Sequence, residues 1–283
     1  MTHPIYRVSS LGRPIDPRFG SNIAAVAGSA IAGLAVVIHN LVAASPLASS
    51  PLTVAVSVFI AWATGRELDP DRPSSAMLAM LISFVFLLSA PAELMLGVGV
   101  LLTTRVISGT VGAPLRDIDR LALVALAGML GAGGTTIVAL PGLLVAGGYG
   151  GLTRRKGLLL IVGMIVAAAV SYFVVGSTLS WVSLDPPAWV ALGLTFGALL
   201  AGSRTTAVVS VADLGGSLSG RRIRVSRWIA AAAVVFGFLA GGASGVTTAF
   251  PTAGAAVVAT SAVGFLGRRY DSSTLPTKER VSK

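Results

Sequence analysis

Apolar residues run along this chain in long blocks, and the charges are nearly confined to the gaps between them. The blocks lie near 21–43, 51–65, 74–90, 91–109, 119–133, 135–153, 157–177, 187–203, 226–243 and 247–267. A helix needs about 20 predominantly apolar residues to cross a bilayer, with shorter pieces accommodated inside a bundle. The pattern therefore predicts an all-α, polytopic transmembrane helical bundle of about ten spans. The second, fifth and sixth blocks are short, so each is equally readable as half of a re-entrant hairpin, which is tolerated where protein surrounds it.

Composition agrees with this pattern. Apolar residues make up 54% of the chain and charged residues only 11%, less than half of the roughly 25% usual in soluble domains. Mean hydropathy is +0.85. The 34 glycines read first as small residues that let membrane helices approach closely. With no cysteine, disulfides, thiolate catalysis and Cys-based metal sites are excluded. His3 and His39 are the two imidazoles, and His3 sits in a tail expected to be disordered, so a zinc or haem site is not expected.

The net charge of +10 raises nucleic acid as a partner, but the basic residues sit at the ends of apolar blocks without interleaved aromatics, which argues against it. Membrane orientation explains them better, since cytoplasmic loops are enriched in Lys and Arg. Starting the amino terminus inside and alternating through ten spans, the loops at 66–72, 105–120, 154–156 and 204–227 and both tails fall on one side. All 21 Lys and Arg residues are then cytoplasmic, and the outer loops keep Glu93 and Asp185 as their charges. The expected location is a membrane with both termini on its cytoplasmic side and the lipid bilayer as surroundings. The first block is longer than a secretory h-region, and a retained span is favoured over a signal peptide cleaved near "VAASPLASS".

Three pairs of segments resemble each other in the same order. "PAELMLG" at 91–97 matches "PAWVALG" at 187–193, "TTRVIS" at 103–108 matches "TTAVVS" at 205–210, and "GAGGTTIVALP" resembles "GASGVTTAFP". They suggest a parallel internal duplication of four helices each, preceded by two more (2 + 4 + 4). The expected organisation is a basic tail (1–20), a two-helix unit with a charged loop (21–73), two membrane repeats (74–153 and 154–267) and a disordered basic tail (268–283). Pro91 and Pro187 would open equivalent helices. The Gly-Thr segments near 131–136 and 242–248 would be hairpin turns, their hydroxyls bonding nearby backbone.

The densest charge cluster is "RELDPDR", Arg66 to Arg72. Glu67, Asp69 and Asp71 alternate with Leu68 and Pro70, flanked by Arg66 and Arg72. Closely spaced carboxylates are able to hold Mg²⁺ against a substrate diphosphate while arginines receive phosphate oxygens. The second loop such lipid-phosphate chemistry would want is "LRDIDR", which carries only Asp117 and Asp119. The plainer reading makes 66–72 a cytoplasmic turn in which Asp71 or Ser74 caps the next helix and Pro73 opens it. A second candidate is an outer vestibule of His39, Glu93 and Asp185, with interfacial placement as the plain alternative. Arg105 is expected to snorkel to the inner surface. There is no G-x-S-x-G elbow, P-loop or H-E-x-x-H.

Over "WATGRELDPDRP", Trp62 to Pro73, the chain resembles multi-pass membrane proteins of high-GC bacteria that carry an Arg-Glu-Leu-Asp-Pro-Asp loop. The resemblance implies a bacterial plasma-membrane protein and transfers no functional residues. Three functional classes follow as expectations. The leading one is a transporter-like protein handling a small molecule or lipid between two helical repeats, with no cofactor. The second is a membrane enzyme acting on isoprenoid or phospholipid phosphates with Mg²⁺ at Glu67, Asp69 and Asp71. The third is a non-catalytic complex subunit, binding a partner or a second copy through Gly-rich faces.

Overall fold

The computed structural model describes residues 4–43, 46–47, 49–89, 93–133, 139–175, 186–202 and 208–274, with side chains described throughout these except at 186–187, 201–202, 238–248 and 267–274. Within them the protein is all-helical. A short helix α1 (Ile5–Val8) precedes α2 (Gly20–Val42), α3 (Pro51–Leu68), α4 (Pro73–Leu87), α5 (Leu94–Ser108) and α6 (Asp117–Ala132). Then come α7 (Leu140–Tyr149), α8 (Arg154–Val175), α9 (Pro186–Gly202), α10 (Gly220–Ala249), a π-helical turn (Phe250–Gly254) and α11 (Ala255–Thr274). The only extended pairing among the described residues is one isolated bridge between Val211 and Ser217.

Each apolar block of the sequence is a helix, and the punctuation is local. Ser50 caps α3 by accepting the Thr53 amide, with Pro51 in the first turn, where a missing N–H costs nothing. Pro73 opens α4 in the same way, as the sequence predicts. The expected cap does not form: Arg72 occupies the cap position without a side-chain bond, because Asp71 is drawn to a different loop. Helix α5 stops at Gly109, whose φ of 70° lies in the left-handed region that suits glycine.

Helix α3 is central, packing against α2, α4, α5 and α11, while α6 lies along α8 and α10 lies between α5 and α9. One buried apolar cluster joins α2, α3 and α4 through Ala25, Val36, Val54, Val58, Trp62, Ala76 and Met80. A larger one runs through α5 to α11, around Leu96, Ile107, Leu123, Leu130, Leu143 and Phe250. Contacts are close where residues are small. A Cβ added to Gly131 of α6 would run into the Ala168 backbone of α8, and one on Gly65 of α3 would lie 3.0 Å from the Ala76 Cα of α4.

The large apolar side chains are distributed in an unusual way. Ile31, Leu34 and Leu41 of α2, Leu158, Val166, Phe173 and Val174 of α8, and Trp189, Val190 and Phe196 of α9 all point outward and are exposed. The interior, beside its leucines and Phe250, holds many alanines together with Ser57, Thr64, Ser83, Thr103, Thr104 and Thr195. Thr104 donates to the Leu101 carbonyl, Thr195 to that of Ala191 and, across helices, Ser261 to that of Ala198, whereas the Ser57, Thr64, Ser83 and Thr103 hydroxyls have no hydrogen-bond partner among the described residues. By length and composition two helices, Gly20–Val42 and Arg154–Val175, suffice to cross a membrane; Pro73–Leu87, Leu94–Ser108 and Leu140–Tyr149 are apolar but shorter.

Two sequence expectations change. Helix α10 runs on through the 242–248 segment expected as a hairpin turn, and α-helical pitch breaks at Phe250–Gly254 instead. There Phe250 rings against Phe86 (centroids 4.7 Å apart), so the break is filled by aromatic packing. The carboxy-terminal tail expected from residue 268 is helical as far as Thr274. The matched segments of the suggested duplication fall partly outside the described residues, at Pro91, 134–138 and 205–207. Where packing is described it is not equivalent: α6 lies along α8, whereas its expected counterpart α10 makes no comparable contact with α4.

Candidate functional site

The last turn of α3 delivers Glu67 into the interior, where its side chain is fully buried. A bare carboxylate there would be prohibitively costly, so it must be paired and hydrogen-bonded. Arg105 of α5 supplies the main partner, its Nε donating to Oε1 at 2.8 Å. The Thr110 hydroxyl donates to Oε2, and the Ser108 hydroxyl lies 3.4 Å from the same oxygen. Arg13 approaches Oε1 at 3.5 Å. Arg105 does not snorkel as a free surface cation: it is held by Glu67, and its Nη1 donates to the Leu11 carbonyl at 2.6 Å.

Arg13 and Leu11 belong to the amino-terminal segment expected to be a basic tail. That segment is packed across the charged ends of the helices. Arg13 Nη2 donates to Asp213 Oδ1 at 2.7 Å, and the Tyr6 hydroxyl donates to Asp213 Oδ2 at 3.0 Å. Burial, reinforced by the Asp213 charge, pushes the Tyr6 phenol up to about 12. Asp119 in the first turn of α6 receives Ser10 N at 2.9 Å, Ser10 Oγ at 2.8 Å, the Ser9 hydroxyl and its own helix's Arg116 N at 2.9 Å. The carboxylate thus closes the α6 amino terminus and fastens the segment in one arrangement.

Further arginines join the remaining loops to this end. Arg222 of α10 donates to the Ile107, Val106 and Tyr149 carbonyls at 2.6, 2.8 and 3.2 Å, satisfying the ends of α5 and α7. Arg227 donates to the Leu68 carbonyl at 2.8 Å and lies 3.9 Å from Asp69. The basic loops expected on one side of a membrane therefore meet one another.

The candidate carboxylates of 66–72 do not converge. Glu67 points inward to Arg105, Asp69 faces Arg227, and Asp71 is exposed, accepting the Val209 and Ser210 amides at 3.1 and 2.7 Å. Burial works to raise the Asp71 pKa, but the Ser210 side chain together with these amides outweighs it and holds the carboxyl below its usual range. Arg72 lies over Gly264 of α11, where an added Cβ would be 3.4 Å from Nη1. No group of three His, Asp or Glu side chains able to hold a metal forms among the described residues. The physical reason is register. Glu67 is still on the helix, Asp69 ends it and Asp71 lies beyond it, so alternation in sequence gives no common direction.

Of the three outer-vestibule candidates, two lie within the described residues. His39 lies in the last turn of α2 and Glu93 precedes α5, both exposed, with no hydrogen bond or ion pair joining them among the described residues. Asp185 is outside the described residues.

What the charged end does contain is a cavity of about 790 Å³ between the amino-terminal segment, α3, α5 and the 208–214 loop. Its lining mixes the charged side chains of Arg13, Arg66, Glu67, Arg105 and Asp213 with the apolar ones of Phe19, Phe59, Trp62 and Leu101. Of the five loop residues singled out in sequence, Arg66 and Glu67 line it, while Asp69, Asp71 and Arg72 do not. Tyr6, Arg13 and Asp213 had no sequence signal beyond their charge or polarity, because their partners lie some 200 residues away along the chain.

No protein-family model, curated protein or solved structure matches this chain.

Proposed function

We propose that this chain is a multi-pass membrane protein of the bacterial inner membrane, transporter-like, which receives a small molecule in the cavity at its charged end. The carrying observation is that cavity. Its volume falls within the roughly 300–1,000 Å³ typical of small-molecule sites, and its lining combines aromatic and aliphatic side chains with the arginines Arg13, Arg66 and Arg105 and the carboxylates of Asp16, Glu67 and Asp213.

Membrane insertion is supported by the outward-facing apolar side chains of α2, α8 and α9. A soluble monomer exposes contiguous apolar patches of only a few hundred Å², and here large side chains of α2, α8 and α9 face out while many alanines and hydroxyls face in. A ten-span arrangement is further supported by the gathering of the basic loops at one end, which the positive-inside rule assigns to the cytoplasm. The expected binding place, the interface of two repeats, is replaced in this proposal by the pocket beside α3. A Mg²⁺-dependent enzyme is not adopted, since Glu67, Asp69 and Asp71 each serve a different partner.

The absence of cysteine makes the test simple. Single cysteines at Ser210, on the cavity wall, and at Asn40, at the opposite end of α2, are labelled with a membrane-impermeant maleimide in oriented vesicles. Ser210→Cys should label only from the cytoplasmic side and Asn40→Cys only from the outside. Recovery of the protein in the soluble fraction, or labelling of both from one side, would refute the proposal.

A further inference from the structure

The cavity's α3 wall is graded along the helix. Phe59, Trp62, Ala63 and Arg66 follow at i, i+3, i+4 and i+7 and all line it, which places them on one helical face. Over about 10 Å of helix rise the lining passes from two aromatic rings, with centroids 5.3 Å apart, to a guanidinium.

Two donors on this face are unused. The Trp62 indole nitrogen is buried without a hydrogen-bond partner, although such N–H groups usually find one. Arg66 is half-buried and, unlike its neighbours Arg13 and Arg105, makes no hydrogen bond or ion pair among the described residues. Burial and the like charge of Arg13 work against its cation, while Glu67, Asp213 and Asp69 act in its favour without bonding it. The nearest acids are already engaged: Glu67 by Arg105 and Thr110, Asp213 by Arg13 and Tyr6. An anion at Arg66 would supply the missing acceptor, and a guanidinium matches a carboxylate or phosphate with two parallel bonds. The aromatic pair next to it offers nothing to a wholly polar ion.

We propose that this face binds an amphiphilic anion, its carboxylate or phosphate on Arg66 and an apolar chain along Phe59 and Trp62. The inference rests on the membrane reading above and names the ligand class of that same cavity. It also explains why the pocket opens between loops and helices, where a headgroup and a chain are both accommodated.

The test uses full-length protein in phosphatidylcholine nanodiscs, with Trp181, Trp189 and Trp228 changed to Phe so that Trp62 is the sole indole of the four in the chain. The probes are 11-bromoundecanoate, 11-bromoundecanol and acetate, read by bromine quenching of Trp62 fluorescence. Saturable quenching is expected with bromoundecanoate, only a linear partitioning response with bromoundecanol, and no competition from acetate. Arg66→Gln should raise the half-saturating concentration at least tenfold and Arg66→Lys a few-fold. Arg18→Gln, an exposed change of the same charge, should leave it unaltered. Equal saturation by the alcohol, or an unaltered response in a folded Arg66→Gln or Arg66→Lys protein, would overturn the proposal. Adding phosphatidylglycerol to the nanodiscs separates the sources: competition assigns the site to a bilayer lipid, and its absence to a soluble amphiphile. Failure of membrane insertion would show earlier, as protein that never enters the nanodisc, and is thereby distinguished from failure of the ligand.

Discussion

Two short acidic loops, 66–72 and 116–120, look alike in sequence and end up doing opposite things. In each, one carboxylate turns inward: Glu67 from the end of α3 and Asp119 from the start of α6, both buried. Glu67 is held by guanidiniums and hydroxyls from distant helices and loops, whereas Asp119 is held mostly by amides and hydroxyls of residues 9–11 and its own helix start. The first arrangement fixes helices to one another. The second fastens the amino-terminal segment onto them. Their outward-facing acids, Asp71 and Asp117, serve one loop contact and one exposed pair with Arg120. Burial and partner type, not charge density, separate the two loops.

Melting of detergent-solubilised protein can break or sharpen this contrast. The largest effect is expected for Glu67→Ala, which leaves Arg105 and Arg13 without their shared anion in a buried setting. Removing one member of such a pair costs on the order of 3–5 kcal/mol, so poor folded yield is expected, with partial recovery in the double variant Glu67→Ala/Arg105→Met. Asp119→Asn should cost less, about 2 kcal/mol, because a charge-assisted acceptor is lost while the amide oxygen still takes some donors. Its distinguishing mark is local: limited proteolysis should cut near residues 9–13 before the helices melt. Equal losses from both variants, or cutting at the helices first, would erase the distinction.

A smaller effect, about 1 kcal/mol, is expected for Tyr6→Phe, which removes the bond to Asp213. Here pH supplies the sign. The phenol is raised in the fold from 10.0 to about 12, so the unfolded chain ionises first and stability falls as pH climbs through that window. The Phe variant should lack this alkaline decline. Smallest is Asp71→Asn, under about 1 kcal/mol for an exposed group. Its lowered carboxyl contributes above the unfolded pKa and loses that contribution as pH falls through the folded one. The two proteins should therefore converge in acid; a gap that widens there would contradict the assignment.

The helical blocks were legible in the sequence because apolar runs and the proline and glycine stops are local properties. Each of the ten predicted blocks overlaps a helix, from 21–43 on α2 to 247–267 on the π-turn and α11. The site was legible only in part. Glu67 and Arg66 stood out by charge and both line the cavity, but one residue of register separates a fully buried, paired carboxylate from a half-buried guanidinium. Arg13 was hidden in a segment without helical period, since what orders it is Asp213, 200 positions away.

Composition and periodicity alone thus determined the class of element, the number of helical blocks and the clustering of cations in every second gap, since each depends on neighbouring residues. Which carboxylate is buried, which arginine of the cavity makes no ion pair among the described residues and where the cavity opens were decided only by the tertiary structure. Those outcomes depend on which ends meet, and long-range pairing leaves no periodic trace in a chain.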